Sequence, residues 1–352
     1  MKRRIDQSDQ KFTSGERLQQ TVKRPKDIGV QARSQWWVWT WTKVGLLSLC
    51  VLSVTILFLQ QLFTVSDDLS RPSDFGLNHT INIYLNSEEG VRVGVWYTVP
   101  EHRWKEAQGK DLEWYEKALG DGSPIFIYLH GNTGNRSSPP HRIGVANVLS
   151  AVGYHVLVLD YRGFGDSTSE PTELGLTTDT IYLYNWVKAR SGNSLVCVWG
   201  HSLGSGVTTN TAVKLQEEGK SFDGIILEGA FSIGRVAVPF EHPFTWFYWK
   251  FPYIQYYLFN PLKDNILNLP NDDNLKKIRT PLMLLHAEDD HIVPFYMAQE
   301  LYNIAKNAQN SDERVKLVPF NGSLGYLHNG LYKDPHLPSI IREFVQSLSL
   351  TA

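Results

Sequence analysis

The pentapeptide Gly200-His201-Ser202-Leu203-Gly204 sits directly after the apolar run Leu195-Val196-Cys197-Val198-Trp199, and a helical pattern follows over residues 208–215. A strand, a glycine-flanked serine and a helix in that order leave few folds open. The turn must be so tight that the serine takes a strained backbone conformation. Side chains at the flanking positions would collide with the adjoining strand and helix, which is why glycines stand there. The serine hydroxyl then projects at the end of a buried strand, with a helix N-terminus behind it. A plain glycine turn between a strand and a helix matches the same pattern, so the motif needs partners elsewhere in the chain.

Those partners are present in the order serine, acid, histidine. Pro281-Leu282-Met283-Leu284-Leu285-His286 reads as a buried parallel strand and runs into Ala287-Glu288-Asp289-Asp290-His291-Ile292-Val293-Pro294. An acid in the loop after a strand can orient a histidine at the sheet's end. Asp290 is the expected residue, with Asp289 left open by spacing alone. Three histidines follow: His291, His328 and His336. His291 is too close to Asp290 to turn back onto it, and His336 falls at the start of the last helix. His328 follows the strand Val315–Phe320 by the short loop Asn321–Leu327, from which an imidazole reaches across the sheet. Ser202, Asp290 and His328 are thus the expected nucleophile, orienting acid and base. Two backbone N–H groups should hold a developing oxyanion. Leu203 supplies one. The loop His130-Gly131-Asn132-Thr133-Gly134-Asn135, after the strand Ile125–Leu129, supplies the other through Asn132.

The remaining pattern supports one large α/β domain. Residues 91–99 alternate like an edge strand, and 125–129, 154–159, 195–199 and 224–227 are apolar runs. Helical stretches fall at 143–152, ending at Gly153, and at 177–189. Strands alternating with helices predict a mostly parallel central sheet covered by helices on both faces. An insertion from about residue 235 to 274 breaks the alternation. Eleven of the twenty residues from Phe240 to Phe259 are aromatic, which suits a lid, either packing on the sheet or lining an acyl-chain channel beside a lipid surface.

The N-terminal part differs in kind. Residues 1–43 carry ten Lys/Arg against four Asp/Glu and few apolar residues before Trp36, the composition of a disordered basic tail. Residues 44–65 contain no charge over 22 residues, enough for a helix to cross a bilayer core of about 30 Å. Residues 66–90 hold five acids and one base, Arg71. The positive-inside rule then predicts a type II signal-anchor, with the tail cytosolic and the domain 66–352 on the far side. Asn78-His79-Thr80, Asn135-Arg136-Ser137 and Asn321-Gly322-Ser323 are N-glycosylation triplets, of which Asn78 stands clear of the proposed site loops. Cys50 and Cys197, the only cysteines, lie inside the apolar span and inside a strand, so no disulfide joins them. The formal net charge of −2 argues against a nucleic-acid partner.

The segments HGN-x-G, DYRG-x-GDS, GHSLG-x-G, LHAEDD-x-x-VPF and GY-x-H, in this order behind an apolar anchor, resemble the membrane α/β-hydrolase family of lysophosphatidylserine and monoacylglycerol lipases. The similarity runs from about Gly76 to the end and leaves the tail unmatched. It implies the α/β-hydrolase fold and a serine lipase acting on single-chain lipids at the endoplasmic reticulum, facing the lumen. It also implies Ser202 as nucleophile, Asp290 as acid and His328 as base, with no metal or cofactor. Where Leu-Glu-Ser/Ala-Pro-Phe is expected, this chain reads Leu227-Glu228-Gly229-Ala230-Phe231. Arg136, Arg142, Arg162 and His242 are the basic residues considered for a phosphoserine head group. Two alternatives share the pattern: an acyl-protein or acyl-CoA thioesterase, and a membrane-anchored binding protein that retains the fold without catalysis.

Overall fold

The computed structural model describes residues 41–43, 45, 48, 68–232, 269–311 and 313–351. The chain divides into two compact units, Met1–Asp67 and Asp68–Ala352. Most of the basic tail, most of the span expected over 44–65 and most of the aromatic insertion lie outside the described residues. Among the described residues no helix is long and apolar enough to cross a membrane.

The second unit is built on one eight-stranded sheet. Its strands are β1 (Thr80–Glu88), β2 (Val91–Thr98), β3 (Ile125–Leu129), β4 (His155–Asp160), β5 (Val196–His201), β6 (Gly224–Glu228), β7 (Leu282–Ala287) and β8 (Val315–Phe320), in the spatial order β1-β2-β4-β3-β5-β6-β7-β8. From β4 to β8 every neighbouring pair is parallel, while β2 runs antiparallel to both β1 and β4. The parallel strands β3 to β7 are buried along their whole length, as strands covered on both faces must be. Their alternation divides the core in two. Ile125, Ile127, Leu129, Val196 and Val198 face one side. They pack there with α2 (Glu173–Lys188), α3 (Leu203–Glu217) and α5 (Phe295–Gln309). Phe126, Tyr128, Cys197 and Trp199 face the other, against α1 (His141–Ala151) and α6 (Leu337–Thr351). A short helix, α4 (Asn271–Leu275), closes the end of the aromatic insertion against α3.

One expectation is corrected. Residues 91–98 form an inner strand, not an edge. The edge is β1, which pairs with β2 in register from Thr80↔Thr98 to Glu88↔Val91. β1 shows one buried face and one polar face, so its apolar content is too thin to announce a strand. The helix expected from residue 208 begins five residues earlier, at Leu203. Glycines 204 and 206 lower helix propensity there, but Gly204 is required by packing, since a Cβ on it would land on the Leu129 carbonyl of β3.

At the N-terminal end of the unit, the Trp96 indole donates to the Leu69 carbonyl at 2.8 Å. Asn78 lies exposed just before β1. Asn135 is half-buried with its side chain closing a turn onto Ser137, and Asn321 is exposed with its side chain turned onto Ser323.

Candidate active site

The site is assembled at the carboxyl ends of the parallel strands, where open α/β sheets place their ligands. Ser202 joins β5 to α3 with φ 52° and ψ −114°, a left-handed conformation rare for a residue with a side chain. Its amide donates to the Glu228 carbonyl at the end of β6, 2.9 Å away, and its own carbonyl accepts from the Ser205 amide and hydroxyl. A Cβ on Gly200 would strike Gly204 and Thr208, so both glycines of the motif are imposed by crowding inside the turn. The Ser202 side chain is half-buried.

Asp290 follows β7 and is buried. One carboxylate oxygen accepts the amides of Ile292 and Val293, each at 2.8 Å, and the other accepts His328 Nδ1 at 2.7 Å. Burial alone would raise its pKa. The hydrogen bond and charge of His328, with the two amides, outweigh that and hold it below the ordinary aspartate value. Because Nδ1 donates to the carboxylate, neutral His328 has a bare Nε2, the tautomer that a general base needs. Asp289, the other acid left open by spacing, accepts the Leu327 amide at 3.2 Å and so braces the same loop from outside. His291 and His336 are exposed, away from these contacts.

Ser202 Oγ makes no hydrogen bond to His328 among the described residues, yet several contacts bring their segments together. His201 Nε2 lies 3.0 Å from the His328 carbonyl, and with only an acceptor facing it, it donates. The two imidazole centroids are 4.8 Å apart. Gly229, following the Glu228 that holds the Ser202 amide, has φ 56°, and a Cβ there would be 3.0 Å from His328 Cε1. The glycine at this departure from the family pattern leaves room for the ring.

The loop after β3 passes over Ser202, since a Cβ on Gly131 would lie 3.3 Å from the Ser202 Cβ. Asn132 is exposed in that loop, and Leu203 opens α3, where the first amides of a helix have no intrahelical acceptor. An oxygen held by both N–H groups would lie beside the serine.

Three of the basic residues considered for a head group are corrected. Arg136 is fully buried, bonded to Asp160 and Asp166 at 2.6 Å each and to Asn82 at 2.8 Å. Arg162 is buried against Asp179 at 2.7 Å and Glu88 at 2.7 Å. Arg142 is buried against backbone carbonyls. Sequence shows charge but not its direction, and all three point inward. His242 lies outside the described residues.

Buried polar residues that the sequence reading passed over crowd the site. The His141 ring meets His201 at a tilt of 60° with centroids 4.8 Å apart, and burial, then the Arg142 charge, push its pKa down to about 3. Glu228 accepts the Trp199 indole N–H at 2.9 Å, and burial, with the Asp290 charge adding, pushes it up to about 8. Glu228 therefore carries its proton at neutral pH. A carboxyl that holds its proton more tightly folded than unfolded leaves stability intact below its unfolded value of 4.5. Stability then drains as pH rises toward 8. Glu228→Gln keeps an acceptor for Trp199 and removes that penalty. It should raise the melting temperature by an amount that grows from pH 5 to pH 9, about 1.4 kcal/mol per pH unit at most between the two pKa values. An equal shift at both pH values overturns this.

Comparison with known proteins places the chain. The α/beta hydrolase fold model matches residues 124–251. The lysophosphatidylserine lipase ABHD12 of Xenopus tropicalis is 48% identical over 279 residues, covering 79% of this chain and 72% of that protein. Its Rattus norvegicus counterpart is 47% identical over 279 residues, 79% and 70% of the two chains. Protein ABHD12B of Homo sapiens is 48% identical over 278 residues, 79% and 75%. Among solved structures, the Pyrococcus furiosus esterase Pf2001 aligns with a TM-score of 0.59 at 18% identity, covering 79% of this chain and 94% of that one. Est1E of Butyrivibrio proteoclasticus aligns at 0.53 and 16%, covering 76% and 99%. These two likenesses speak to the fold alone.

Proposed function

This chain belongs to the α/β-hydrolase family that contains the ABHD12 lysophosphatidylserine lipases and ABHD12B, and from that premise we propose that it is a membrane-anchored serine lipase hydrolysing the acyl ester of single-chain lipids, lysophospholipids first. The observation that carries the reading is the 2.7 Å bond from His328 Nδ1 to Asp290 on the loops flanking the strained Ser202, in a chain 48% identical to a lysophosphatidylserine lipase.

The mechanism follows from the residues. Ser202 Oγ attacks the acyl carbonyl as His328 Nε2 takes its proton. The Leu203 and Asn132 amides hold the oxyanion. As the C–O bond to the lysophospholipid alcohol breaks, His328 returns the proton to the leaving oxygen. Water then attacks the acyl-enzyme with His328 again as base, releasing the fatty acid and restoring Ser202. Asp290 stabilises the imidazolium at each stage. We place the domain in the lumen of the endoplasmic reticulum behind a type II anchor over residues 44–65, on the strength of the basic tail and acidic far flank.

The test supplies membranes carrying the full chain with lysophosphatidylserine, a monoacylglycerol and an acyl-CoA side by side, with and without a fluorophosphonate that phosphonylates reactive serines with loss of fluoride. Fluorophosphonate-sensitive fatty-acid release, fastest from lysophosphatidylserine, is the expected result. Faster thioester cleavage overturns the ester assignment, and no sensitive release from any of the three overturns the lipase reading.

A further inference from the structure

Arg142 is 1% exposed, and no carboxylate pairs with it among the described residues. Its guanidinium is committed instead to one loop. It donates to the carbonyls of Gly131 at 3.2 Å, Thr133 at 2.5 Å, and Asn135. The Gly131 carbonyl also receives His130 Nδ1 at 2.8 Å. A buried charge without a counter-ion is costly, and an apolar side chain of similar size would pack there at less expense. Its retention asks what those three carbonyls need.

A trans peptide unit has its C=O and N–H pointing in opposite directions. Holding the Gly131 carbonyl inward on Arg142 therefore turns the Asn132 N–H to the other, exposed side of the loop. The same applies to Thr133 and the Gly134 amide. The conformation is not one that the loop would choose alone. Thr133, a β-branched residue, has φ 66°, and Gly134 follows at 71°. A non-glycine residue persists there only when its surroundings over-determine it. Charge-assisted bonds to these carbonyls are stronger than neutral ones, and they polarise the attached amides, making each N–H a better donor.

We propose that Arg142 is a positioning residue, clamping the carbonyls of the loop after β3 so that the Asn132 amide is preset as an oxyanion donor before substrate arrives. This rests on the reading of Ser202 as nucleophile and Asn132 as donor. The residue first considered for a lipid head group thus serves the reacting carbonyl oxygen from behind.

The test uses the full chain in membranes, with Arg142→Met, Arg142→Lys and Ser202→Ala. For each, turnover of lysophosphatidylserine is measured alongside affinity for a fatty trifluoromethyl ketone. Ser202 Oγ adds to that ketone carbonyl, its proton passes to His328, and the former carbonyl oxygen becomes an oxyanion in the hole. Active sites are counted by fluorophosphonate labelling. Arg142→Met should lower kcat per active site by about 100-fold, the effect of losing one oxyanion donor, and weaken ketone binding by a similar factor with KM little changed. Arg142→Lys keeps the charge but lacks the fork that spans three carbonyls, and should lose about tenfold. A merely structural role would reduce the number of active sites and leave ketone affinity per active site unchanged, and that result overturns the proposal. Should the methionine variant fail to fold, the lysine variant decides by the same criterion. If Ser202→Ala hydrolyses as fast as the wild type, the nucleophile reading itself has failed and the clamp falls with it.

Discussion

Ser202→Ala will abolish fatty-acid release while leaving the fold as stable as before. Where a triad acts as a unit, deleting its nucleophile costs on the order of 10⁶ in kcat, and what remains is the slow water attack that the oxyanion hole and binding still assist. The hydroxyl oxygen takes part in no hydrogen bond among the described residues, so its removal leaves no buried partner orphaned. The elbow is held by the backbone instead, through the Ser202 amide on Glu228 and the carbonyl on Ser205. Alanine fits the same conformation with no larger side chain. Its melting temperature should match the wild type within the spread of neutral surface changes, about 0.5 kcal/mol. Release from the variant above one hundredth of the wild-type rate would sink the assignment, and a large loss of stability would mean that the hydroxyl has a structural task.

Asp290→Asn will cost about 10⁴ in kcat with the geometry nearly preserved. The oxygen that accepts the Ile292 and Val293 amides can remain, so the turn after β7 survives. The other position becomes an NH₂ group facing His328 Nδ1. That nitrogen must then accept, the ring proton moves to Nε2, and the base has nothing with which to take the serine proton. Asp289→Asn is the internal control, because its partner is the Leu327 amide and an amide oxygen accepts that equally well. The pair separates the two adjacent acids: loss at 290 with near-normal kcat at 289 is expected, and the reverse would reassign the role. With its pKa held below the ordinary range, Asp290 contributes stability that is present above the unfolded value of 3.8 and lost as pH falls through the folded one. Asp290 therefore stays ionised throughout the neutral range.

Much of this was legible in the residues because crowding writes itself into sequence. The glycines at 200 and 204 are demanded by contacts within the turn, and five fully buried strands read as mostly apolar runs, their polar residues falling at or near the ends. The order of serine, acid and histidine is a property of chain topology, so it too survives in one dimension. What escaped has a common cause. β1 is half polar because only one of its faces meets the core, so its pattern is faint. Arg136, Arg142 and Arg162 look like surface cations until their carboxylate and carbonyl partners, up to 74 residues away in sequence, are brought together. His201 sits in plain view inside the pentapeptide, yet its bond to the His328 carbonyl spans 127 residues. Histidines at 130 and 201, each beside a glycine of a site turn, and His141 after the Pro139-Pro140 pair are the signal that a reader could have used.

The bond from Trp96 to the Leu69 carbonyl has a mechanical meaning. Residues 68–70 open the described part of the domain. Its first turn is bolted to β2, and Arg136, which also reaches Leu69, lies in the loop whose carbonyls Arg142 holds. Leu69 is thus a shared anchor: its one carbonyl accepts both from the inner strand β2 and from the loop over Ser202.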